Sequence, residues 1–211
     1  MGNQKQAFEK VYEKSNPVWS YSEPPKEIIE LIESEKVKPC KVLDVGCGEG
    51  NYAIYLALKG FDVLGIDLSE KAIEYAKENA LKKGVNARFK AIDVKELEKL
   101  NEKFDFVLEW ALLHCLMPEE REKYVKDIAS LLNSKGKYLS VSFNIDSEGP
   151  GIGGKGVRFR EGHNALGVKI CFSSLEELQE LFEKHFKLIE SKLITVGKAK
   201  HLENYFLMEK L

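Results

Sequence analysis

The chain has 211 residues, of which 44% are hydrophobic, and no low-complexity stretch divides it, so it is long enough to bury one large core. Its formal net charge is −2, and a chain without a basic excess has no general attraction to nucleic acid. No apolar run approaches the length of a membrane span, and the first residues lack the apolar centre of a signal peptide, so we expect one cytoplasmic domain over residues 1–211 without a membrane partner.

The cysteines are too widely separated to indicate a zinc site or a disulfide framework. The chain has four of them, with no C-x-x-C pair and no clustering with histidine. This usage suits a reducing compartment, and we expect no bound metal. The positions are Cys40, Cys47, Cys115 and Cys171.

The first 38 residues predict a helical segment ahead of the first strand. Apolar residues at helical spacing occupy residues 8–12, and Pro24 with Pro25 opens a second helix with an apolar face. Trp19 and Tyr21 lie in the irregular stretch between these helices. Two interpretations stay open: the two rings close over a binding site as a lid, or they only fill the edge of the core.

Residues 42–50 predict a short buried strand that stops in a glycine turn, followed at once by a helix over residues 51–57. This arrangement puts bare backbone at the carboxyl end of a sheet, where open α/β folds bind their cofactors. The glycines alternate as G-x-G-x-G after an acidic residue, Asp44. The third glycine of a dinucleotide fingerprint would fall at Asn51, which argues against a nucleotide-binding oxidoreductase.

Acidic residues end the next three predicted strands. Residues 61–66 predict a second strand followed by Asp67, whose carboxylate can accept hydrogen bonds from both hydroxyls of a ribose. Ser69 caps the helix that follows, and Gly84 ends it. The third strand ends at Asp93, and the fourth, over residues 104–110, ends in Glu109 and Trp110.

The remaining pattern completes an α/β domain. A helix over residues 120–132, opened by Pro118 and closed by Gly136, precedes a fifth strand over residues 137–143. Ser173 and Glu176 form a capping-box pattern ahead of a last helix. Two final strands, over residues 186–196 and 201–211, have so short a link that they must be antiparallel.

The D-x-G-x-G-x-G run of residues 44–50, together with Asp67, resembles motif I and the second strand end of class I S-adenosylmethionine-dependent methyltransferases. The resemblance covers roughly residues 40–211 and implies a doubly wound, seven-stranded, mostly parallel sheet in the order 3-2-1-4-5-7-6, with a carboxyl-terminal antiparallel hairpin. It implies S-adenosylmethionine as cofactor and S-adenosylhomocysteine as product. The cofactor-binding residues that it implies are Asp44, Gly46, Cys47, Gly48, Gly50, Asp67, Leu68, Asp93, Val94, Glu109 and Trp110.

Within that family, the lead-in over residues 17–25 and the ending over residues 173–178, with Gly197, Lys198 and His201, resemble the thiopurine, thiol and tellurite methyltransferase group. This resemblance slightly favours a thiol-like acceptor on a small molecule. An O- or N-methyltransferase of small-molecule biosynthesis, and a module that binds the cofactor without catalysis, stay open as alternatives. A monomer and a homodimer are both compatible with the sequence.

Residues outside the predicted sheet are the candidates for acceptor binding and catalysis. A hydroxyl or amine acceptor needs a base, and His114, just after the fourth strand, is the candidate, with Tyr21 as a second catalytic candidate. The glycine-rich loop over residues 146–172 is placed to gate the site. The chain thus divides into a lid segment (1–38), a cofactor-binding core (39–145), this loop, and a helix with a hairpin (173–211). The substrate candidates are Trp19, Tyr21, Arg158, Arg160 and His163.

Overall fold

The computed structural model describes residues 2–13, 17, 23–147, 159–161, 169–197 and 201–211. Its α-helices are α1 (Gly2–Glu13), α2 (Lys26–Glu33), α3 (Asn51–Leu58), α4 (Glu70–Lys83), α5 (Pro118–Leu131) and α6 (Leu175–Phe182). Short 3-10 turns cover Val94–Lys99 and Leu113–Cys115. The strands are β1 (Lys41–Val45), β2 (Asp62–Asp67), β3 (Arg88–Ala91), β4 (Phe104–Trp110), β5 (Leu132–Phe143), β6 (Phe159–Glu161), β7 (Lys169–Cys171), β8 (Phe186–Val196) and β9 (His201–Lys210).

A seven-stranded sheet organises the described part of the chain, in the order β3-β2-β1-β4-β5-β9-β8. Strands β1 to β5 are parallel, whereas β9 runs antiparallel to both β5 and β8. With the separate β6–β7 pair set aside, this order is the 3-2-1-4-5-7-6 that the resemblance implied. The predicted fold class is therefore confirmed.

Apolar side chains bury both faces of the sheet. One face packs against α5 and α6, which contribute Val125, Ile128 and Phe182 to the core. The other face packs against α2, α3 and α4, for example through Ile28, Leu56 and Ile73. This is the two-sided covering that parallel strands require, and it leaves the strand ends as the place for a site.

The connection between α5 and β5 differs from the prediction. The helix ends at Leu131 and the strand begins at Leu132, with a register irregularity where β5 pairs with β4 between Phe104 and Phe106. Asn133 donates a hydrogen bond of 2.7 Å to Asp105, which holds this irregular part against the sheet. Gly136 therefore lies inside a bulged strand and does not end a helix.

The capping box of α6 lies one residue later than predicted. Ser174 accepts a hydrogen bond from the Glu177 backbone N–H, and the Glu177 carboxylate accepts one from the Ser174 backbone N–H. The hydroxyl of Ser173 instead accepts a 2.6 Å hydrogen bond from buried Arg121. The sequence has a serine and a glutamate at capping distance in both frames, and in the structure Ser173 is held by Arg121 and by a backbone bridge to Asn144. No helix within the described residues is long and apolar enough to span a membrane.

Candidate functional site

The glycine turn after β1 is closely packed on both sides. Gly46 and Gly48 have φ values of 74° and 52°, a region that side chains disfavour. A Cβ at Gly46 would lie 2.7 Å from Leu112, and one at Gly48 would lie 2.8 Å from the hydroxyl of Tyr12. The backbone N–H of Gly46 donates a 2.8 Å hydrogen bond to the Ile66 carbonyl, which fixes the turn to β2.

Asp67, at the end of β2, holds the middle of this turn. One carboxylate oxygen accepts a 2.9 Å hydrogen bond from the Gly48 N–H, and the other accepts one of 2.9 Å from the Ser69 N–H. Burial raises the pKa of Asp67, and these two backbone donors lower it again in part. An ionised carboxylate has about four lone-pair positions, so both oxygens keep acceptor capacity for hydroxyl groups.

Asp44 presents a buried carboxyl oxygen beside the turn. The residue is 2% exposed, and its Oδ2 has no hydrogen-bond partner in the described structure. Burial and the nearby charge of Asp67 raise the pKa of Asp44 to about 7, against a hydrogen bond from the Ala53 N–H. A buried acceptor without a partner is costly, so this oxygen fits a ligand that brings a donor or a positive charge.

Cys47 fills the space beneath the turn. Its Sγ lies 2.9 Å from where a Cβ on Gly65 would stand, so the thiol packs on the backbone of β2. Burial, with the charges of Asp44 and Asp67, raises the pKa of the thiol well above its ordinary value. A thiol in this state is unsuited to nucleophilic chemistry and serves the turn as a small packing group.

Glu109, at the end of β4, is fully buried and has protein partners at both oxygens. One oxygen accepts hydrogen bonds from the Leu112 and Leu113 N–H groups at 2.7 and 2.9 Å. The other accepts from Ser140 at 2.7 Å and from Tyr138 at 3.3 Å. The carboxylate thus shapes the loop after β4 and places Leu112 on Gly46. Direct contact between Glu109 and the methionyl part of the cofactor stays a prediction.

The loop held by Glu109 contains an unusual backbone conformation. Ala111 has φ of 67°, uncommon for a residue with a side chain, and its N–H donates a 2.8 Å hydrogen bond to the Val141 carbonyl. Trp110 is half-buried, and its ring meets that of Tyr52 edge to face at 6.1 Å. A backbone conformation of this kind persists only where the surrounding structure holds it in place.

The other predicted cofactor residues lie along the same edge. Leu68 follows Asp67 directly and is half-buried. The Asp93 carboxylate accepts a 2.9 Å hydrogen bond from the Lys95 N–H and so caps the 3-10 turn that begins at Val94. The Ile92 N–H bonds to the Asp67 carbonyl at 2.9 Å, which ties the ends of β2 and β3 together.

His114 is positioned by backbone and by stacking. It is 5% exposed, its ring stacks on Phe143 at 4.2 Å, and its Nδ1 accepts a hydrogen bond of 3.4 Å from the Phe143 N–H. Burial, and secondarily the positive charge of Arg121, lower the pKa of His114 to about 3. A base is most effective when its pKa lies near the working pH, so this environment is unsuited to the role that the sequence suggested.

Helix α1 contributes side chains that the sequence did not single out for this site. Glu9 accepts hydrogen bonds from the Ser69 hydroxyl at 2.9 Å and from the Glu70 N–H at 2.7 Å, and thus adds a carboxylate at the start of α4. Gln4 donates a 3.0 Å hydrogen bond to the Cys115 carbonyl. Helical spacing predicted the helix, but its position over the strand ends depends on contacts with residues far along the chain.

Several predicted substrate residues lie outside the described residues: Trp19, Tyr21, Arg158 and His163. Arg160 lies in β6, of which only the backbone is described, opposite Ile170 of β7. Their proposed contacts with a substrate stay predictions. Within the described residues, no three histidine, cysteine, aspartate or glutamate side chains form a group that would hold a metal ion.

Comparison with known proteins identifies relatives of this arrangement. A family model described as methyltransferase domain matches residues 42–136. The 2-heptyl-1-hydroxyquinolin-4(1H)-one methyltransferase of Mycobacteroides abscessus is 33% identical over 141 residues, 66% of this chain and 62% of that protein. An uncharacterized methyltransferase of Schizosaccharomyces pombe, C750.03c, is 30% identical over 103 residues, 49% of this chain and 71% of that protein. The chain thus spans less than two thirds of the first relative's length.

A solved structure matches nearly the whole chain. It is the 1,6-didemethyltoxoflavin-N1-methyltransferase of Burkholderia thailandensis, with bound 1,6-didemethyltoxoflavin and S-adenosylhomocysteine. The TM-score is 0.80 at 25% identity, and the match covers 99% of this chain and 88% of that one. The likeness therefore includes α1 and the carboxyl-terminal hairpin as well as the parallel strands.

Proposed function

This chain belongs to the S-adenosylmethionine-dependent methyltransferase family, and on that premise we propose that it transfers the cofactor's methyl group to a small molecule with a nucleophilic heteroatom. The observation that carries the proposal is the pair of carboxylates beside the glycine turn. Asp67 spans the turn by two hydrogen bonds and keeps acceptor capacity, and Asp44 offers a buried oxygen without a described partner.

These residues fit the two polar parts of the cofactor. The acceptor capacity of Asp67 suits the ribose hydroxyls, and the buried oxygen of Asp44 suits the positively charged amino group of the methionyl part. Glycine at positions 46 and 48 lets Leu112 and the Tyr12 hydroxyl pack directly on the turn, where a Cβ would collide with them. The cofactor supplies a methyl group on a sulfonium, which is already a good leaving group.

The protein's contribution is then mainly alignment and the exclusion of water. Holding two reactants in line can lower a barrier by roughly 7–11 kcal/mol in the best intramolecular cases. The loop that Glu109 shapes, from Trp110 to Leu113, lies where β4 ends next to the glycine turn. We assign Glu109 as a positioning residue for this loop.

For the acceptor we favour a thiol-like group, because a thiol ionises near neutral pH and needs little help from a base. The low pKa of His114 agrees with a reaction in which that residue does not take up a proton. An O- or N-methyltransferase is the second candidate. It is favoured by a relative named for a hydroxyquinolinone and by a solved neighbour named for N1-methylation of a toxoflavin precursor. A module that binds the cofactor without catalysis is the third.

Titration calorimetry with S-adenosylhomocysteine, with NADH in parallel, tests the cofactor site. We expect micromolar binding of S-adenosylhomocysteine alone. Binding of NADH alone would contradict the proposal. A radiolabelled methyl-transfer screen over aromatic thiols, phenols and nitrogen heterocycles then separates an enzyme from a binding module, because a module would bind the cofactor and methylate nothing.

Compartment and assembly stay predictions. Every cysteine is free of a disulfide in the structure, which is compatible with a reducing cytoplasm. Sedimentation of the purified protein distinguishes the monomer from the homodimer.

A further inference from the structure

A second buried carboxyl group lies at the same edge of the sheet and has no part in the cofactor site. Glu203, near the start of β9, is 4% exposed, and its Oε2 has no hydrogen-bond partner in the described structure. Because β9 is antiparallel to β5, its first residues lie at the carboxyl end of the parallel strands, with Glu203 opposite Phe143. A buried carboxyl oxygen at this edge lacks the partner that such groups normally have.

Strand geometry separates Glu203 from the glycine turn. The sheet order β1-β4-β5-β9 separates the strands of Asp44 and Glu203 by three strand spacings, about 14 Å, and the register places Glu203 four residues beyond the row of Asp44. Glu203 has the same parity in β9 as Tyr205 and Leu207, so it faces the side covered by α2, α3 and α4. Trp110, at the end of the intervening β4, packs on this same side.

The residue opposite Glu203, Phe143, belongs to a cluster of rings. Phe143, directly opposite Glu203, lies 5.8 Å from Phe172 with the rings nearly parallel at 25°, and 5.9 Å from the ring of His201. His114, in the 3-10 turn that follows β4, stacks on Phe143. Phe143 and His201 are half-buried. Such a surface favours a flat ring in offset-stacked or edge-to-face contact.

Within the described residues, the charges that act on Glu203 are acidic. Burial, followed by the negative charges of Glu109 on β4 and Glu27 on α2, raises the pKa of Glu203 to about 8. In the described part of the chain, His201 and Tyr205 of the same strand also face this side.

We propose that Glu203 and the rings of Phe143 and His201 form the acceptor subsite, in which the Glu203 carboxylate takes the proton from a planar heteroaromatic acceptor with an exchangeable proton on its reacting atom. The inference rests on the proposed methyl transfer and specifies its acceptor.

The step balances with the groups already named. The heteroatom of the acceptor forms a bond to the methyl carbon while the carbon–sulfur bond breaks, and the sulfur keeps the electron pair as the neutral thioether of S-adenosylhomocysteine. The proton leaves the heteroatom for the Glu203 carboxylate and passes from there to water. No oxidant or reductant is needed.

The test compares Glu203→Gln with Glu209→Gln on the same strand. Glu209 lies opposite Lys137 at the other edge of the sheet, so it controls for the loss of an acidic side chain from β9. Circular dichroism and S-adenosylhomocysteine titration establish that each variant is folded with an intact cofactor site. Glu203→Asp, which keeps the carboxylate, serves as the conservative rescue.

We expect Glu203→Gln to lower kcat/KM by about 10²–10⁴-fold for the acceptors found in the screen, and Glu209→Gln to leave it unchanged. Binding of 4-hydroxyquinoline to the protein–S-adenosylhomocysteine complex should weaken in Glu203→Gln by roughly 10- to 100-fold. The wild-type rate should rise with pH through about 8 as Glu203 ionises, and this limb should vanish in Glu203→Gln. Difference infrared spectra should show a protonated carboxyl band that titrates with the same midpoint in the wild type only.

The outcomes separate the two proposals. If the wild type binds no S-adenosylhomocysteine, the proposed function fails. If it binds the cofactor but methylates only aliphatic thiols, halides or nothing, the cofactor assignment stands and the acceptor subsite is overturned. Full activity of Glu203→Gln with an unchanged pH profile also overturns it. Partial recovery in Glu203→Asp supports the proton-accepting role over a purely structural one.

Discussion

Asp67 accepts a 2.9 Å hydrogen bond from the backbone N–H of Gly48, so the acid that ends β2 holds the turn that follows β1. This single contact links the two strand ends between which the cofactor is expected to lie. The Gly48 donor also lowers the pKa of Asp67, against the larger effect of burial, which raises it.

Replacing Asp67 by alanine should weaken S-adenosylhomocysteine binding by about 1.5–3 kcal/mol, because charge-assisted hydrogen bonds to the ligand and to the turn are both lost. Titration calorimetry measures this change. Asp62→Ala is the matched control, since Asp62 begins the same strand and is exposed, 3.6 Å from Arg88. Equal affinities of the two folded variants would remove Asp67 from the site.

Replacing Gly48 by alanine should abolish measurable cofactor binding and destabilise the protein. A Cβ there would lie 2.8 Å from the Tyr12 hydroxyl, and φ is 52°. Gly84→Ala separates the two effects, because Gly84 has φ of 66° but nothing within 4 Å of a Cβ. The control should lose about 1–2 kcal/mol of unfolding free energy from backbone strain alone and keep its affinity. Urea unfolding and calorimetry on both variants provide the comparison.

Replacing Glu109 by alanine should cost at least about 3 kcal/mol of unfolding free energy, since buried donors on Leu112, Leu113 and Ser140 lose their acceptor. Glu109→Gln keeps an acceptor oxygen for the two backbone N–H groups and should cost less. Denaturant unfolding measures both values. If the alanine variant were as stable as the wild type, the loop after β4 would not depend on this carboxylate.

The low pKa of His114 predicts a stability loss in acid. The unfolded chain binds a proton near pH 6.5, whereas the folded chain does so only near pH 3, so stability is full above 6.5 and declines as the pH falls toward 3. The slope from this residue is at most about 1.4 kcal/mol per pH unit. His114→Phe keeps a ring against Phe143 and should flatten the decline. His185→Phe, away from this contact, should retain it.

The sequence predicts the cofactor site from signals that are local. The alternating glycines at 46, 48 and 50 can only serve a turn with close approach, and Asp67 follows a buried strand directly. Parallel strands bring their carboxyl ends to one edge, so residues at strand ends become neighbours without further information. The sheet order entered by resemblance, and the structure confirmed it.

The sequence pattern gave the wrong cap or boundary where two overlapping motifs were equally good, or where a residue far along the chain determines the local structure. Ser173 and Ser174 both precede a glutamate at capping distance, and Arg121 on α5 determines which one caps α6. Gly136 resembled a helix stop, but the pairing of Phe104 with Leu132 extends β5 backwards past it.

By itself, therefore, the sequence determined the α/β class, the glycine turn and the acids at the strand ends, since each is fixed by neighbours a few residues away. The tertiary structure alone decided the state of the buried groups. His114 became a neutral stacked ring, Glu109 a support for a loop, and Glu203 a carboxyl without a described partner. Burial and hydrogen bonding depend on residues far apart in the chain, and these quantities set the pKa of a group and hence its chemistry.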